Sequence, residues 1–514
     1  MSKSDFAADF ELALRHHMDG RLADAETGYR AVLAAHPRHA PSLHHLGVLA
    51  HQAGANDAAA TLIAQAIKIS PDYAEALSNL GLVQMAQQRN AEASMSFRRA
   101  IALKPDYAEA HYNLGVALDA QGEFEQALTS YETALKLRPA YADAACNRAL
   151  ALHALERPAE AVVAYQKTLT VAPQLVRLHT YLGIALCETG AYAEAVAAFE
   201  HGIAAAPEDP ATYFCLSEVH AARRDLAAST EALRAALLRM VDAGALSLPD
   251  IPPPKRNQAV AHFPEALRAA LKCLDAAGIE VFLTAGTLLG AIRNGDFIGF
   301  DKDVDLGVSS RVPMADVAAA LSTDSDFSGN WRPGGDGVLY CWIWRNRVAI
   351  DFFRFYQEGD QVWYGLYRNG HRVKWMHKPF ALIDFDWLGM KTRIPEDSEF
   401  FLEEVYGPDW PVPDPDCGQW ACPNIEGGFP PVCRNLAHAD IFKALWKRQR
   451  SRARHLCVQA LELDPHDDFF AALLKAFDNA VVGSQQGGAR SVPEVSIVER
   501  MARLSDAEGA TPER

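Results

Sequence analysis

Three aspartates at alternate positions are the residues of this sequence best suited to chemistry. Asp301, Asp303 and Asp305 are separated by single residues and lead into an apolar run. Alternate side chains of a strand share one face, so an extended backbone projects all three carboxylates together. Crowded carboxylates repel one another, and one of them must keep a proton unless a cation neutralises the group. The pattern therefore predicts a bound divalent cation that prefers oxygen ligands, Mg²⁺ or Mn²⁺.

A further aspartate, Asp351, lies within the apolar segment RVAIDFFRFY at residues 347–356, which predicts a second strand. A charge in a buried strand is costly unless it is paired or coordinated. We therefore predict that Asp303, Asp305 and Asp351 hold the metal together from neighbouring strands. The alternatives are an edge-strand aspartate that faces water at position 351 and a surface turn at positions 303 and 305.

A glycine turn precedes the carboxylates in the segment LTAGTLLGAIR, residues 283–293. A predicted strand runs into Gly286 and Thr287, and the residues that follow have helical spacing. Glycine permits a tight turn, and the amides at a helix start can receive a phosphate oxygen. Gly286, Thr287 and Gly290 are therefore predicted to bind the phosphates of a donor or cofactor. Arg293, one to two turns further on, can neutralise a phosphate oxygen, unless it is a surface arginine at the helix end.

A set of cysteine and histidine residues follows towards the C-terminus. Cys417, Cys422, Cys433 and His438 have the spacing C-x4-C-x10-C-x4-H. These are the ligand types of structural zinc, although the spacing is looser than the usual paired form. A zinc site and unligated thiols in a loop-rich region are both open.

An internal repeat occupies the first half of the chain. Prolines recur with a constant step of 34 residues, at Pro37, Pro71, Pro105, Pro139, Pro173 and Pro207. Small residues keep the same step from Gly47 to Ser217, and alanines keep it from Ala25 to Ala195. This period is typical of tetratricopeptide repeats, in which each unit is a pair of antiparallel helices. We predict an all-α solenoid of about seven units over residues 6–243.

Three asparagines, Asn79, Asn113 and Asn147, occupy one equivalent position in successive repeats. They lie on the first helix of each pair, which lines the concave groove in this repeat family. A ladder of amides can hold the backbone of an extended peptide, and this one resembles the asparagine ladder of O-linked N-acetylglucosamine transferases. Packing within or between repeats is the alternative. The few Lys and Arg residues on these helices disfavour capture of a C-terminal carboxylate, so we expect a protein acceptor in the groove.

Composition and periodicity predict where the parts of the chain begin and end. Residues 244–258 form a proline-rich linker after the repeats. Beyond it, helices alternate with short strands, beginning with an amphipathic helix at about 259–277. We expect an α/β catalytic domain over residues 259–455, then a helical segment and a disordered tail over residues 456–514.

Charge and hydropathy exclude several classes of protein. The net charge of −16 argues against broad nucleic-acid binding, which needs a basic face. No segment approaches the roughly 20 uncharged apolar residues of a membrane span. The first residues, MSKSDFAADFELALRHH, carry charges where a secretory signal has an apolar core, so a cytoplasmic location is expected.

Two segments carry a more specific resemblance. GTLLGAIRNGDFIGFDKDVDLGV resembles the signature of the LicD/fukutin family, in which a glycine-led turn, an arginine and a carboxylate-rich strand follow in this order. The segment IDFDWLGMKTRIPEDSEFFLEEVYGPDWPVP, residues 383–413, is similar to the closing segment of the family. It ends in a Tyr-Gly-x-x-Trp element, here Tyr406, Gly407 and Trp410.

The resemblance covers about residues 262–415 and implies a nucleotidyltransferase-like α/β core. Family members move phosphocholine, ribitol phosphate or related groups from a CDP-linked donor to a hydroxyl of a glycan. On this resemblance, metal ions at the aspartates clamp the diphosphate, and Asp351 also accepts the proton of the acceptor hydroxyl. Gly299 and Phe300 replace the usual Pro-Trp of the family, and Lys302 replaces a frequent acidic residue, which leaves the donor open.

Two other functions remain open. A nucleotidyltransferase would attack the α-phosphate of a nucleoside triphosphate and release pyrophosphate, whereas the transferase releases CMP. A non-catalytic scaffold would use the repeats alone, and the retention of Asp303, Asp305 and Asp351 argues against it. The transferred group, the acceptor and the oligomeric state are not determined by the sequence.

Overall fold

The computed structural model describes residues 5–248, 250–251, 258–299, 301–329, 339–345, 347–368, 371–411 and 419–480. The chain divides into two compact units, Met1–Ala191 and Tyr192–Arg514. The described part of the first unit is helical, and that of the second combines helices with a mixed sheet. The predicted fold class, helical repeats followed by an α/β domain, is therefore confirmed. No helix in the described ranges has both the length and the apolar composition needed to cross a bilayer.

The first unit is a series of antiparallel helix pairs. Its helices are α1 Asp5–Met18, α2 Leu22–Ala35, α3 Ala40–Gln52, α4 Asn56–Ile69, α5 Ala74–Ala86, α6 Asn90–Leu103, α7 Ala108–Asp119, α8 Phe124–Leu137, α9 Ala142–Ala154, α10 Pro158–Val171 and α11 Arg177–Glu188. The second helix of each complete pair ends just before the repeated proline, because proline cannot continue a helix and disfavours helical geometry in the residue before it.

The small residues of the repeat allow the two helices of a pair to touch. A Cβ on Gly81 would lie 2.6 Å from the Phe97 ring, and one on Gly115 would lie 2.5 Å from the Tyr131 ring. Both rings are fully buried. The glycine and the aromatic residue of a repeat are therefore one packing pair, which explains why both recur with the same period.

The second unit begins with three helices, α12 Tyr192–Ala205, α13 Pro210–Ala222 and α14 Leu226–Asp242. The helices of the α/β region follow as α15 Phe263–Ala276, α16 Ala285–Asn294, α17 Met314–Leu321 and α18 Ser398–Tyr406. The division at residue 191 falls inside the array predicted at residues 6–243. The last predicted repeat helices thus belong to the same compact unit as the α/β region.

A seven-stranded mixed sheet forms the core of the α/β region. Its strands are β1 Val281–Leu283, β2 Asp303–Ser309, β3 Phe327–Gly329, β4 Leu339–Trp344, β5 Val348–Glu358, β6 Gln361–Arg368 and β7 His371–His377. The order is β1-β2-β5-β4-β3, and β6 pairs with β5 and β7. β2 and β5 run parallel, whereas the other neighbours are antiparallel. A separate hairpin consists of β8 Leu382–Trp387 and β9 Met390–Pro395.

One face of β2 and β5 is apolar and belongs to the core. Val304, Leu306, Val308, Ile350 and Phe352 are fully buried, and α15 packs against both strands. Because side chains alternate along a strand, the residues between these face the opposite side of the sheet. That opposite face carries the acidic residues of the predicted site.

Three helices follow the α/β region, α19 Pro431–Trp446, α20 Arg450–Leu463 and α21 Asp468–Asn479. α19 packs against α14, and Asn435 Nδ2 donates to Ser229 Oγ between them at 2.9 Å. The spacing between the alanine and the proline of a repeat recurs at Ala453 and Pro465. These helices therefore resemble a further repeat, and the domain boundary predicted after residue 455 falls inside α20. The predicted disordered tail, after about residue 483, lies outside the described residues.

Candidate active site

A carboxylate cluster lies where β2 begins. Asp301 precedes the strand, Asp303 is its first residue, and Asp305 follows on the same face. One carboxylate oxygen of each residue lies within 4.8 Å of the others, so the three can hold a metal ion together. Asp351 lies on the adjacent parallel strand in direct register with Asp305. Two neighbouring strands thus bring four carboxylates to one region of the sheet.

Burial raises the pKa of each of these four carboxyls, and neighbouring carboxylate charges add to the rise at Asp301, Asp305 and Asp351. Asp305 is 5% exposed, and burial, followed by the charges of Asp303 and Asp301, holds its pKa well above the usual range. Burial, and then the charge of Asp303, raises the pKa of Asp301 to about 7 and that of Asp351 to about 7. Lys302 offsets part of this cost for Asp301 and Asp303. A divalent cation would remove the remaining repulsion.

The start of α16 binds one of these carboxylates with its own backbone. The Thr287 amide donates to Asp305 Oδ2 at 3.2 Å, and the Asp305 amide donates to Thr287 Oγ1 at 2.8 Å. A Cβ on Gly286 would lie 2.7 Å from Asp301 Oδ2, so only glycine allows this close approach. Ala285 makes the turn into the helix with a φ of +42°, a region that non-glycine residues rarely adopt. The helix start favours the negative charge placed there.

These contacts change the role predicted for the glycine turn. The sequence predicts that Gly286, Thr287 and Gly290 bind phosphate, but Thr287 is fully buried and both its amide and its hydroxyl pair with Asp305. A Cβ on Gly290 would lie 2.7 Å from the carbonyl oxygen of Asp296, in the loop that follows α16. The turn therefore positions the carboxylates, and the phosphate role has no support in this geometry.

Asp351 lies beside the group of Asp301, Asp303 and Asp305 and is not part of it. It pairs with Cys341 across β4 and β5, and a hydrogen bond from the Cys341 thiol partly counteracts the rise in its pKa. The ligand set predicted as Asp303, Asp305 and Asp351 therefore changes, because Asp301 joins the first two and Asp351 flanks them. The alternating spacing is the sequence signal for Asp301, whereas nothing in the sequence marks Cys341.

Arg293 and Tyr406 approach this region from α16 and α18, two helices that pack together. Arg293 lies about 10 Å along α16 from Gly286, and its Nε donates to Asn294 Oδ1 at 3.0 Å. Burial lowers the pKa of Arg293, and the nearby Tyr406 counteracts that shift. Burial raises the pKa of Tyr406 strongly, with the charge of Asp305 among the further causes. Tyr406 therefore lies close enough to the carboxylates for their charge to affect its pKa, which its sequence motif alone does not indicate.

Among the residues that the structure describes, Cys422, Cys433 and His438 do not form a group that could hold a metal ion. His438 Nδ1 donates to a main-chain carbonyl oxygen of α19 at 2.7 Å, and its Nε2 accepts from Arg234 Nε at 3.3 Å. Both ring nitrogens are occupied, and a guanidinium cation stands where a metal would bind. Burial raises the pKa of the Cys433 thiol to about 12. Cys422 is buried, and Cys417 lies outside the described residues.

The three asparagines of the array lie half-buried on α5, α7 and α9. Asn79 Nδ2 lies 2.7 Å from His44 Nε2, and Asn147 Nδ2 donates to Tyr112 Oη at 3.4 Å. Each partner precedes its asparagine by 35 residues and belongs to the preceding repeat. Two of the three amides thus bridge successive repeats through their nitrogen atoms, as the packing alternative predicts. No contact of this kind is described for Asn113.

Comparison with known proteins agrees with this division of the chain. Residues 278–397 match the family model described as LicD/FKTN/FKRP, nucleotidyltransferase domain. Tetratricopeptide repeat models match residues 7–74, 82–122 and 108–141. The crystal structure of MamA protein is similar at 26% identity with a TM-score of 0.30, over 33% of this chain and 92% of that chain.

Two curated relatives each match less than a third of this chain. Ribitol-5-phosphate transferase FKTN from Homo sapiens is 29% identical over 153 residues, which are 29% of this chain and 33% of that protein. Ribitol 5-phosphate transferase FKRP from Homo sapiens is 30% identical over 161 residues, which are 28% of this chain and 31% of that protein. The chain thus spans about a third of the length of these relatives. It contains tetratricopeptide repeats followed by a domain of the LicD/FKTN/FKRP family.

Proposed function

We propose that this chain is a metal-dependent transferase that moves a phosphoalcohol or phosphosugar group from a CDP-linked donor to an acceptor hydroxyl. The observation that carries the proposal is the group of Asp301, Asp303 and Asp305, whose oxygens lie within 4.8 Å of one another beside Asp351. The names of the curated relatives, ribitol-5-phosphate transferases, support this reaction class. Because the chain spans a third of those relatives, we propose the class of group transferred and not ribitol phosphate in particular.

The donor set fits a divalent cation such as Mg²⁺ or Mn²⁺. All three candidate ligand groups are carboxylates, whose oxygens these ions prefer, and their raised pKa values show how costly the bare anions are. When bound, the ion supplies positive charge to the diphosphate of the donor. The Thr287 amide and the missing side chain of Gly286 keep the carboxylates in place for it.

Asp351 is the side chain to which we assign proton transfer. It lies in register with Asp305 but outside the tightest group, so it is the carboxylate left to meet an acceptor hydroxyl. A pKa of about 7 suits a base that works near neutral pH. In the proposed step, the acceptor oxygen bonds to the distal phosphorus while the bond from that phosphorus to the CMP oxygen breaks. The hydroxyl proton passes to Asp351, and CMP leaves.

Arg293 and Tyr406 are proposed to bind the donor at the side of the cluster. The Tyr406 hydroxyl lies near enough to Asp305 for that charge to raise its pKa, and Arg293 lies near Tyr406. A guanidinium and a hydroxyl at this place can donate to phosphate oxygens without displacing the carboxylates. Both side chains belong to the segments that carry the family resemblance.

The repeats are proposed to recruit the acceptor, either a protein or a glycan carried by one. Repeat arrays of this type present extended concave surfaces to their partners. The contacts from Asn79 to His44 and from Asn147 to Tyr112 hold two amides in fixed orientations on that series of helices. A preorganised amide loses less entropy when it binds a peptide backbone.

One observation favours a second function. The matched family model is described as a nucleotidyltransferase domain, and such an enzyme would use the same metal site on a nucleoside triphosphate. The two functions differ in the leaving group, because a nucleotidyl transfer releases pyrophosphate and the proposed transfer releases CMP.

The test is the leaving group formed by the full-length protein with Mg²⁺ or Mn²⁺. A panel of CDP-alcohols and, separately, CTP is incubated with a glycan or protein acceptor, and CMP and pyrophosphate are measured. We expect CMP from a CDP-alcohol, and no CMP with Asp305→Asn. The matched control is Asp386→Asn, which removes an exposed carboxylate of β8 in the same domain and keeps full activity. Pyrophosphate release from CTP alone would contradict the transferase and support the second function.

A further inference from the structure

The turn between α19 and α20 is the most basic stretch of an otherwise acidic protein. Lys447, Arg448, Arg450, Arg452 and Arg454 lie within eight residues, while the chain as a whole has a net charge of −16. No Asp or Glu occurs between Asp440 and Glu462. We call the residues 447–454 the basic corner. It belongs to the second compact unit and uses none of the residues of the proposed active site.

Two of its arginines have structural partners at the end of α21. Arg454 Nε and Nη2 donate to Asp478 Oδ1 at 2.9 and 2.7 Å, and Arg450 Nη2 donates to the Phe477 carbonyl oxygen at 2.7 Å. Cations are favourable at the C-terminal end of a helix, so these contacts stabilise α21. These contacts provide hydrogen-bond partners for the Arg454 guanidinium and for Nη2 of Arg450.

Two other hydrogen-bond donors of the basic corner have no partner among the described residues. The Nε atoms of Arg448 and Arg450 are buried and have no hydrogen-bond partner within the described residues. A buried donor without an acceptor is unfavourable, and arginine Nε rarely stays in that state. Arg448 is also held in place, because its carbonyl oxygen accepts from the Ile251 amide at 2.8 Å. The neighbouring Lys447 is exposed.

The position of the corner adds to its need for an anion. It forms the start of α20, where the helix dipole is positive and cations are unfavourable. The first turn of α20 has no acidic residue. The carboxylate of Asp250 accepts from the Ser451 amide at 3.1 Å and supplies one negative charge from outside the helix. One carboxylate at the start of α20 and one, Asp478, at the end of α21 leave the corner with excess positive charge.

We propose that the basic corner binds a phosphate group. A phosphate offers several oxygens at once to the partly exposed guanidinium groups of Arg448 and Arg450, whose planar shape matches its geometry. The Lys447 ammonium adds charge at the exposed rim. The phosphate can belong to a free molecule or to the headgroup of an anionic lipid, since both present the same oxygens. This proposal is independent of the transferase function.

The test measures binding of phosphate by the full-length protein in two arms. Pyrophosphate is titrated calorimetrically, and sedimentation is measured with vesicles of phosphatidylglycerol against vesicles of phosphatidylcholine. We expect saturable binding in at least one arm, weakened by added salt because the contacts are charged. Binding of pyrophosphate assigns a free ligand, and binding of phosphatidylglycerol vesicles alone assigns a headgroup. Absence of binding in both arms would overturn the proposal.

The variant that tests the site is Lys447→Gln with Arg448→Gln, since neither side chain has a described partner. Affinity should fall by about tenfold or more. The matched control, Arg98→Gln with Arg99→Gln, removes the same charge from the exposed face of α6 and should bind as the wild type does. Equal losses in both variants would mean general electrostatics and would overturn the site. Arg448→Lys keeps the charge but removes the planar guanidinium, so it should also weaken binding.

Discussion

The repeats and the sheet place polar side chains in opposite ways. In the first unit, the half-buried amides of Asn79 and Asn147 each bond a side chain one repeat away, so a neutral group meets a neutral partner. In the sheet, Asp301, Asp303 and Asp305 are packed together, and their pKa values rise through burial. The first arrangement is stable as it stands, whereas we propose that a divalent cation stabilises the second. On this proposal, the difference separates residues that hold a fold together from residues that bind a ligand.

The largest expected effect comes from Asp305→Asn. The amide oxygen can still accept from the Thr287 amide, so the fold should survive, but one metal ligand loses its charge. Loss of several kcal/mol of charge stabilisation corresponds to at least about a 10³-fold drop in CMP release. The metal-free variant should also be more stable than the wild type at pH 8 by about 1 kcal/mol or more, since repulsion is relieved. Lower stability of the variant in urea unfolding would show that Asp305 is a structural residue.

A pair of glycine substitutions tests the contrast between the two regions directly. Gly286→Ala places a methyl group 2.7 Å from Asp301 Oδ2 and should weaken Mn²⁺ binding by about 10–100-fold, because the carboxylates must shift. Gly81→Ala places one 2.6 Å from the Phe97 ring and should cost about 1–3 kcal/mol of stability with unchanged Mn²⁺ binding. Calorimetry and urea unfolding of both variants give the comparison. If each substitution affects both properties alike, the two regions do not differ in this way.

The first unit should lose stability on acidification through His44. This side chain is 3% exposed, and burial, then the charges of His45 and His17, lower its pKa to about 3 from 6.5. Protonation therefore favours the unfolded chain, so the contribution is intact above pH 6.5 and is lost as pH falls towards 3. The slope is about 1 kcal/mol per pH unit. His44→Gln should flatten the dependence of unfolding free energy between pH 7 and pH 5, and an unchanged slope would assign it to other groups.

The smallest expected effects separate the asparagines of the ladder. Asn79→Ala should cost about 1 kcal/mol, because its contact with His44 is lost. Asn113→Ala should stay within about 0.5 kcal/mol of the wild type, because no such contact is described for it. If the ladder also binds a peptide backbone, both variants should capture less acceptor in a pull-down with the full-length chain. Normal capture by both would leave the amides with a packing role alone.

The sequence predicts the array more completely than the site, for a physical reason. Each repeat pairs a small residue such as Gly81 with a large one such as Phe97 from the same helix pair, so its packing is local and periodic. The spacing of the aspartates likewise predicts a shared face. The register that places Asp351 opposite Asp305, and Cys341 opposite Asp351, depends on strands that meet only in the folded chain. No local pattern contains that information.

The glycine turn and the cysteine series show the same limit. A glycine before a helix is compatible with phosphate binding, and only the folded chain shows the Thr287 amide donating to Asp305. The spacing of Cys433 and His438 is compatible with zinc, but helix α19 turns His438 towards Arg234. The sequence does not predict that the helices after residue 431 resemble a repeat, because the α/β region separates them from the array in sequence.

The central claim is that the aspartates of β2 bind a divalent cation. Calorimetric titration of Mn²⁺ into the full-length protein, stripped of metal and repeated with CDP present, tests it most directly. We predict saturable binding that CDP strengthens, that Asp305→Asn abolishes and that Asp386→Asn leaves unchanged. Binding that survives Asp305→Asn, or no binding by the wild type at any pH between 6 and 8, would contradict the claim.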